Sequence, residues 1–256
     1  MSFKGKVALV TGAGQGIGFE ICRRLVSEGA FVLLNDVDQE LAEGAAKQIR
    51  TNNPTSCVAI SGDVSDFLFI DSMVEQAVRL YGRLDIVIAN AGITLFGEFL
   101  TYTPEDFLKV MRVNLGGSFF LAQAASKKMK MQGTGGSILF MSSVTGHQAL
   151  KNLAAYSMSK AALEMLAKNL VIELSEYKIT VNTIAPGATL TERTREEPGY
   201  EKVWSAITPM GRPATVSDIA DTALFLVSEQ ARHITGQTLV IDGGWTSVSQ
   251  LPHGIK

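Results

Sequence analysis

The feature that most constrains the fold of this chain is a strict alternation of two kinds of segment. Short aliphatic and β-branched runs occur at Val7–Thr11, Phe31–Asn35, Cys57–Ser61, Leu84–Ala89, Ser137–Ser142, Ile179–Ala185 and Thr238–Ile241. Between them lie segments with apolar residues three or four apart, the spacing of one helix face. Ile17, Ile21 and Leu25 form the first stripe, stopped by Gly29; Leu41, Ala45 and Ile49 form the second; Ile70, Val74, Ala77 and Tyr81 the third. Thr103-Pro-Glu-Asp106 is a capping box with Pro at the first helical position, so a long helix is expected from there toward Met131. Further helices are expected at Leu153–Ser175 and, capped by Thr215-Val-Ser-Asp218, up to about Glu229.

Strands that read as continuous apolar runs are buried on both faces, which is the condition of a parallel sheet covered by helices. Seven such strands interleaved with helices predict an α/β chain with a doubly wound Rossmann-type sheet, seven parallel strands and helices on both faces. With 256 residues, 46% apolar and 19% charged, one large core is affordable, so a single domain over 1–256 is expected. There is no internal repeat or linker. Only the stretch Thr191–Arg212, charged and carrying Pro198 and Pro209, has loop character, and a loop of that length is expected to act as a lid over a site.

The charge balance, 23 basic against 25 acidic residues, gives a net charge of −2 without a basic block, so neither nucleic acid nor an anionic membrane surface is indicated as a partner. The small cluster of Lys127, Lys128 and Lys130 reads as a solvated helix end. Cys22 falls in an expected helix and Cys57 starts an expected strand, which makes both buried free thiols. The start, Met1-Ser-Phe-Lys-Gly-Lys-Val7, lacks the layout of a signal peptide, and no apolar run has the length of a membrane span, so a cytoplasmic location is expected.

Two places carry chemistry. After the first strand, glycines stand at 12, 14, 16 and 18, spaced for a sharp turn, a close backbone approach to a pyrophosphate and a helix N-terminus aimed at it. Asp36 follows Gly18 by eighteen residues, at the end of the second strand, where a carboxylate accepts ribose hydroxyls and repels a 2′-phosphate. Its neighbours are Asn35 and Val37, and Gln15 occupies the turn position that could have held a cation, so the cofactor is read as NAD rather than NADP. The second place is Ser143, Tyr156 and Lys160. Tyr156 and Lys160, four apart, lie on one helix face, and the ammonium is expected to pull the phenol down from its usual pKa of about 10, making a general acid/base for an alcohol oxygen. A cofactor turn together with a proton donor indicates hydride transfer. No metal is called for, and a hydrolase is excluded by the lack of a G-x-S-x-G turn.

Six motifs in order resemble the short-chain dehydrogenase/reductase family in its NAD-preferring branch. They are T-G-A-G-Q-G-I-G at 11–18, Asp63-Val64, Asn90-Ala-Gly92, Asn114, Ser143 with Tyr156-x-x-x-Lys160, and Pro186-Gly187, and the likeness spans about Lys6 to Gly244. The resemblance implies that Gly12, Gln15, Gly16, Ile17 and Gly18 line the cofactor, that Asp63 and Val64 meet the adenine, and that Asn90 touches the cofactor near its strand end. Pro186, Gly187, Thr189 and Thr191 would hold the nicotinamide end. Tyr156 would move the proton, Lys160 would hold the ribose hydroxyls and keep Tyr156 acidic, and Ser143 would align the substrate oxygen. Asn114 sits beside Gly116-Gly117 within an expected helix; either a local break there frees backbone groups for a water relay from Lys160, or the glycines serve close helix packing.

The substrate is expected to meet Thr94, Ser143, His147 and Tyr156, in a pocket completed by Val144, Leu150, Leu153, Ala188, Trp204, Met210 and the lid. Two substrate classes compete: a sugar or polyol, as in the glucose- and polyol-dehydrogenase branch, and a 3-oxoacyl thioester. Asp36 and the near-neutral charge favour the first. A non-catalytic nucleotide-binding relative is disfavoured because Ser143, Tyr156 and Lys160 are all present. The helices at 103–131 and 153–175 are apolar on more than one face, through Phe119, Phe120 and Leu121 and through Leu163, Met165, Leu166, Leu170, Val171 and Ile172. This suits the family's homodimers and homotetramers, and the tail Trp245–Lys256 is placed to reach a neighbouring subunit.

Overall fold

A computed structural model describes residues 1–50 and 53–248. Of the tail at 245–256, positions 249–256 lie outside the described residues. The chain runs β1 (Val7–Val10), α1 (Gly16–Ser27), β2 (Phe31–Asp36), α2 (Gln39–Ile49), β3 (Cys57–Ser61), α3 (Phe67–Tyr81) and β4 (Ile86–Ala89). It continues through α4 (Pro104–Val110), a π-helical segment (Met111–Gly117), α5 (Ser118–Gln132), β5 (Gly136–Met141), α6 (Ala154–Leu174) and β6 (Ile179–Pro186). Then come β7 (Thr189–Leu190), α7 (Glu192–Arg195), α8 (Tyr200–Ile207), β8 (Ala214–Thr215), α9 (Val216–Val227) and β9 (Thr238–Ile241).

The main sheet has seven strands in the order β3-β2-β1-β4-β5-β6-β9, every neighbouring pair parallel. Within β1, Ala8 and Val10 pack into a core with Ile21, Leu25 and Leu224 on one face, while Val7 and Leu9 pack with Ile70, Val74, Leu121 and Leu163 on the other. That double burial is why the strands lack polar alternation; each buried Leu or Ile contributes about 1.5–3 kcal/mol. The strand order reverses between β1 and β4, which opens a crevice at their carboxyl ends.

Helix starts follow their caps. Asp38 accepts from Leu41 N (3.0 Å), Asp66 from Leu68 N (3.0 Å), and Thr215 and Asp218 form a capping box. The long helix expected from Thr103 is divided: α4 gives way to the π-helical segment and then α5. A Cβ on Gly116 would stand 3.1 Å from the Phe67 ring, and one on Gly117 3.1 Å from Val64, so both glycines serve close packing while the helix also breaks there. The stretch expected as a loop over 191–212 contains α7 and α8, and its base is pinned by pairing of β7 with β8. Among the described residues no helix is long and apolar enough to cross a membrane.

Candidate active site

A cleft of about 680 Å3 lies at the carboxyl ends of the strands. Its floor at one end is the turn from β1 to α1, where Gly12 and Gly16 hold φ of +59° and +65°. A Cβ on Gly12 would stand 2.7 Å from Ala91 Cα, so the turn needs glycine both for its backbone angle and for the close approach of the loop after β4. Helix α1 has no side-chain cap at Gln15, where α2, α3 and α9 are capped by Asp38, Asp66 and Thr215, and it has no acid in its first turn. With Gly16 and Ile17 lining the cleft, its N–H groups are left for an outside anion, as a pyrophosphate requires.

Asp36 lines the same cleft. Its Oδ2 accepts from Gly14 N (2.9 Å) and its Oδ1 from Asp38 N (3.2 Å), which fixes the carboxylate while leaving lone pairs free. Lining residues include neither Arg nor Lys at the ends of β2 and β3; Asp63 and Val64 stand there instead. Asp63 also closes a turn by accepting from Ser65 N (2.7 Å). Asn90 lines the cleft, but its amide is committed to Thr11 O (2.9 Å) and Gly12 O (2.7 Å), stitching the β4 end to the glycine turn. Gly18, expected at the cofactor, lies beneath the cleft rather than in it: a Cβ there would meet Asn90 Nδ2 at 2.6 Å and Gly12 O at 2.7 Å.

At the other end the cleft is lined by Thr94, Ser143, Tyr156, Lys160, Pro186, Gly187 and Thr189, while Thr191 faces the glycine turn, its Cγ2 3.7 Å from where a Gly16 Cβ would be. Ser143 ends β5 and caps a short turn, accepting from Thr145 N (3.3 Å). The hydroxyls of Ser143 and Thr94 reach the half-buried Tyr156 phenol. Lys160, one turn along α6, is only 3% exposed; its Nζ donates to Met141 O at 2.7 Å and lies 5.5 Å from the Tyr156 ring centre. A Cβ on Gly92 would stand 3.3 Å from both the Lys160 amine and Asn114 Oδ1, so this glycine makes room for two polar groups. Asn114 itself is fully buried and does not line the cleft. Its amide accepts from Ile93 N (2.8 Å) and donates to Ile93 O (3.0 Å) and Ser159 Oγ (3.1 Å), tying the loop after β4 to α6.

The electrostatics correct one expectation. In the cofactor-free chain burial pushes the Tyr156 phenol above its usual pKa, against the pull of Ser143, Thr94 and the more distant Arg193 charge. The ammonium expected to acidify it is itself strained by desolvation, which brings Lys160 down from 10.5 to about 8. Sequence shows that the two residues share a helix face; it does not show that both are taken out of water.

Several residues expected at the substrate lie elsewhere. His147 does not line the cleft; its Nδ1 meets Glu164 Oε1 at 3.2 Å, and the same carboxylate accepts from Ser142 Oγ at 2.8 Å. Val144, Leu150, Leu153, Ala188 and Met210 are likewise not among the lining residues, and Trp204 packs on Trp245 and Tyr200 instead. Lys109, Val113, Arg193 and Tyr200 do line it, none of them marked by a sequence motif. For Arg193 the only available signal was the pair Thr191 and Thr194, which caps α7 and so fixes where its first turn begins.

The family model described as Enoyl-(Acyl carrier protein) reductase matches residues 12–246. A tetrahydroxynaphthalene reductase of Pyricularia oryzae is 38% identical over 261 residues, covering 95% of this chain and 90% of that protein. The solved structure of a 3-ketoacyl-(acyl-carrier-protein) reductase from Brucella melitensis complexed with NADH has a TM-score of 0.89 and 33% identity, covering 96% of this chain and 100% of that one. A gluconate 5-dehydrogenase from Burkholderia cenocepacia in complex with NADP and tartrate has a TM-score of 0.89 and 31% identity, covering 97% and 98%. Sheet order, cleft position and these matches agree: the chain belongs to the short-chain dehydrogenase/reductase family of oxidoreductases.

Proposed function

We propose that the chain is an NAD-dependent oxidoreductase that moves a hydride between the cofactor and a secondary alcohol or ketone. The observation that carries this reading is the meeting of Ser143, Tyr156 and Lys160 at one end of a cleft whose other end offers an uncapped helix N-terminus and the Asp36 carboxylate. The nicotinamide, when bound, supplies the hydride acceptor or donor. The chain's own residues handle the proton and the geometry. Tyr156 takes the hydroxyl proton on oxidation and returns it on reduction, while Ser143 and Thr94 hold the oxygen beside the phenol. Lys160 donates one N–H to Met141 O and keeps two for ribose hydroxyls, and its positive charge favours the phenolate. Asn114 holds the floor on which these groups stand.

Asp36 and the lack of a cation beside it support NAD over NADP. A polyol or sugar skeleton is the leading substrate class. The alternative, a 3-oxoacyl thioester, draws on the Brucella melitensis relative. Phe119, Met165 and Ile172 are 41%, 56% and 84% exposed on α5 and α6, an apolar face that supports a homodimer or homotetramer. Buried free Cys22 and Cys57 support a reducing compartment such as the cytoplasm.

The test is Tyr156→Phe, assayed by absorbance of reduced nicotinamide against a panel of secondary alcohols and ketones. Turnover should fall about a thousandfold while NADH binding, followed by fluorescence, is retained. Equal loss of binding and turnover would remove Tyr156 from the proton step.

A further inference from the structure

Ten arginines are present, and most are spoken for. Arg23, Arg24, Arg83, Arg212 and Arg232 each hold a carboxylate, and Arg50 and Arg112 each donate to a backbone carbonyl. Among the described residues Arg79, Arg193 and Arg195 make no such bond, and of these three only Arg193 lines the cleft. It stands on α7, in the lid, at the end where Tyr156, Ser143 and Thr94 converge, and its charge reaches the phenols of both Tyr156 and Tyr200.

The charges lining the cleft are divided along its length. Asp36 and Asp63 stand at the ends of β2 and β3, on the adenosine side of the reversal in strand order. The third acid, Glu192, turns toward the glycine turn, with Oε2 3.7 Å from where a Gly16 Cβ would be. Of the other lining cations, Lys160 is buried and bonded to Met141 O, and Lys109 is an exposed ammonium in the last turn of α4. Arg193 is therefore the one guanidinium in the cleft lining, and among the described residues it holds no carboxylate of the chain. A guanidinium drawn out of water over a neutral polyol would lose hydration and gain little; over an anion it gains a charge-assisted fork.

We propose that Arg193 recognises a carboxylate of the substrate, so that the substrate is a small oxo or hydroxy acid rather than a neutral polyol. The inference rests on reading the cleft as an oxidoreductase site and narrows its substrate to an acid, which can be built on the polyol skeleton of that reading. A planar fork matches a carboxylate in a bidentate way.

The test pairs acids with their methyl esters, which keep the ketone and remove the charge. Acetoacetate and levulinate, each against its methyl ester, are reduced by the wild type, Arg193→Ala and Arg193→Lys with NADH and with NADPH. The wild type should prefer the acids by at least about tenfold in kcat/KM, and Arg193→Ala should lose that preference by about tenfold to a hundredfold, its loss on the acids exceeding by that factor any loss on the esters. Arg193→Lys should keep part of it, as a charge without the fork. Equal losses on acid and ester would show Arg193 acting on the phenol or the cofactor, and would overturn the proposal. Reduction of esters in preference to acids by the wild type would overturn it while leaving the oxidoreductase reading intact. If no ketone is reduced with either cofactor by protein that still binds NADH, both fall.

Discussion

Replacing Lys160 by Met exchanges a buried amine for an apolar chain of similar length and should stabilise the cofactor-free protein in a pH-dependent way. Lys160 is 3% exposed, and burial lowers its pKa from 10.5 to about 8. A depressed lysine pKa means that the unfolded chain binds the proton more tightly than the folded one. Stability from this group is therefore greatest above pH 10.5, is lost as pH falls from 10.5 to about 8, and changes little below that. At pH 7 the shift corresponds to about 3 kcal/mol of lost stability, and at pH 9.5, where the folded amine is already neutral, to about 1.4 kcal/mol. Met carries no such dependence. The advantage of Lys160→Met over the wild type should thus shrink by about 2 kcal/mol between those two pH values. The lost bond to Met141 O adds an offset of about 1–3 kcal/mol against the variant, but a neutral amine still makes that bond, so the offset does not vary with pH. Groups that titrate in the same range, such as the buried Cys22 and Cys57 thiols that burial pushes upward, are shared by both proteins and cancel in the difference. The assay is urea unfolding followed by fluorescence of Trp204 and Trp245, at one protein concentration because association also shifts the midpoint. A difference that stays constant across pH would refute the claim that the amine is held desolvated.

Two further variants address the cofactor end. Asp36→Ala removes the carboxylate proposed to meet the cofactor ribose, which accepts from Gly14 N; the ratio of kcat/KM for NAD over NADP should fall by about tenfold or more, roughly 1.4 kcal/mol per decade. An unchanged ratio, measured with one substrate and both cofactors, would undo the ribose argument. Gly12→Ala forces a side chain into φ +59° with its Cβ 2.7 Å from Ala91 Cα, so the protein should lose about 1–3 kcal/mol in thermal or urea unfolding and bind NADH poorly. A variant that melts like the wild type and binds normally would show that the turn tolerates a Cβ.

The sheet was legible because its cause is local. The inner strands are buried on both faces, and that leaves an unbroken apolar run in the sequence; the seven runs match the seven strands of the main sheet within two residues at their ends, including the edge strand β9, where Leu239 and Val240 are exposed. Leu84 shows why ends slip: it is fully buried like a strand residue, yet its backbone pairs with the Gln132 side chain rather than with the ladder. What escaped was set by contacts between distant segments. The β7 and β8 pair is two residues long and carries no periodicity. The π-helical segment depends on Phe67 and Val64 pressing on Gly116 and Gly117. The direction of the Tyr156 shift depends on how deeply the phenol is set, which i,i+4 spacing does not encode. His147 was misplaced because Glu164, seventeen residues on, draws its ring away from the cleft.

These exceptions share a location. A lysine buried with a single carbonyl partner, a helix start without a cap, a π-helical turn around buried Asn114 and a lid arginine without an acid are each local departures from what the fold alone would favour. The first and the second are costs to stability that a merely structural protein would have no reason to keep, since Met or Leu at 160 and Asp or Ser at 15 would be better for the fold alone. The second leaves donors where an anion must come. All of them lie in or directly beneath one cleft, at the point where the strand order reverses. Local disagreement between sequence and fold therefore marks the same place as the family motifs do, by a route that uses no motif. If Lys160→Met and a capped variant such as Gln15→Asp both stabilise the cofactor-free chain while weakening NADH binding, the two routes have identified one site; if they stabilise it and bind NADH as before, the exceptions are unrelated to the cofactor.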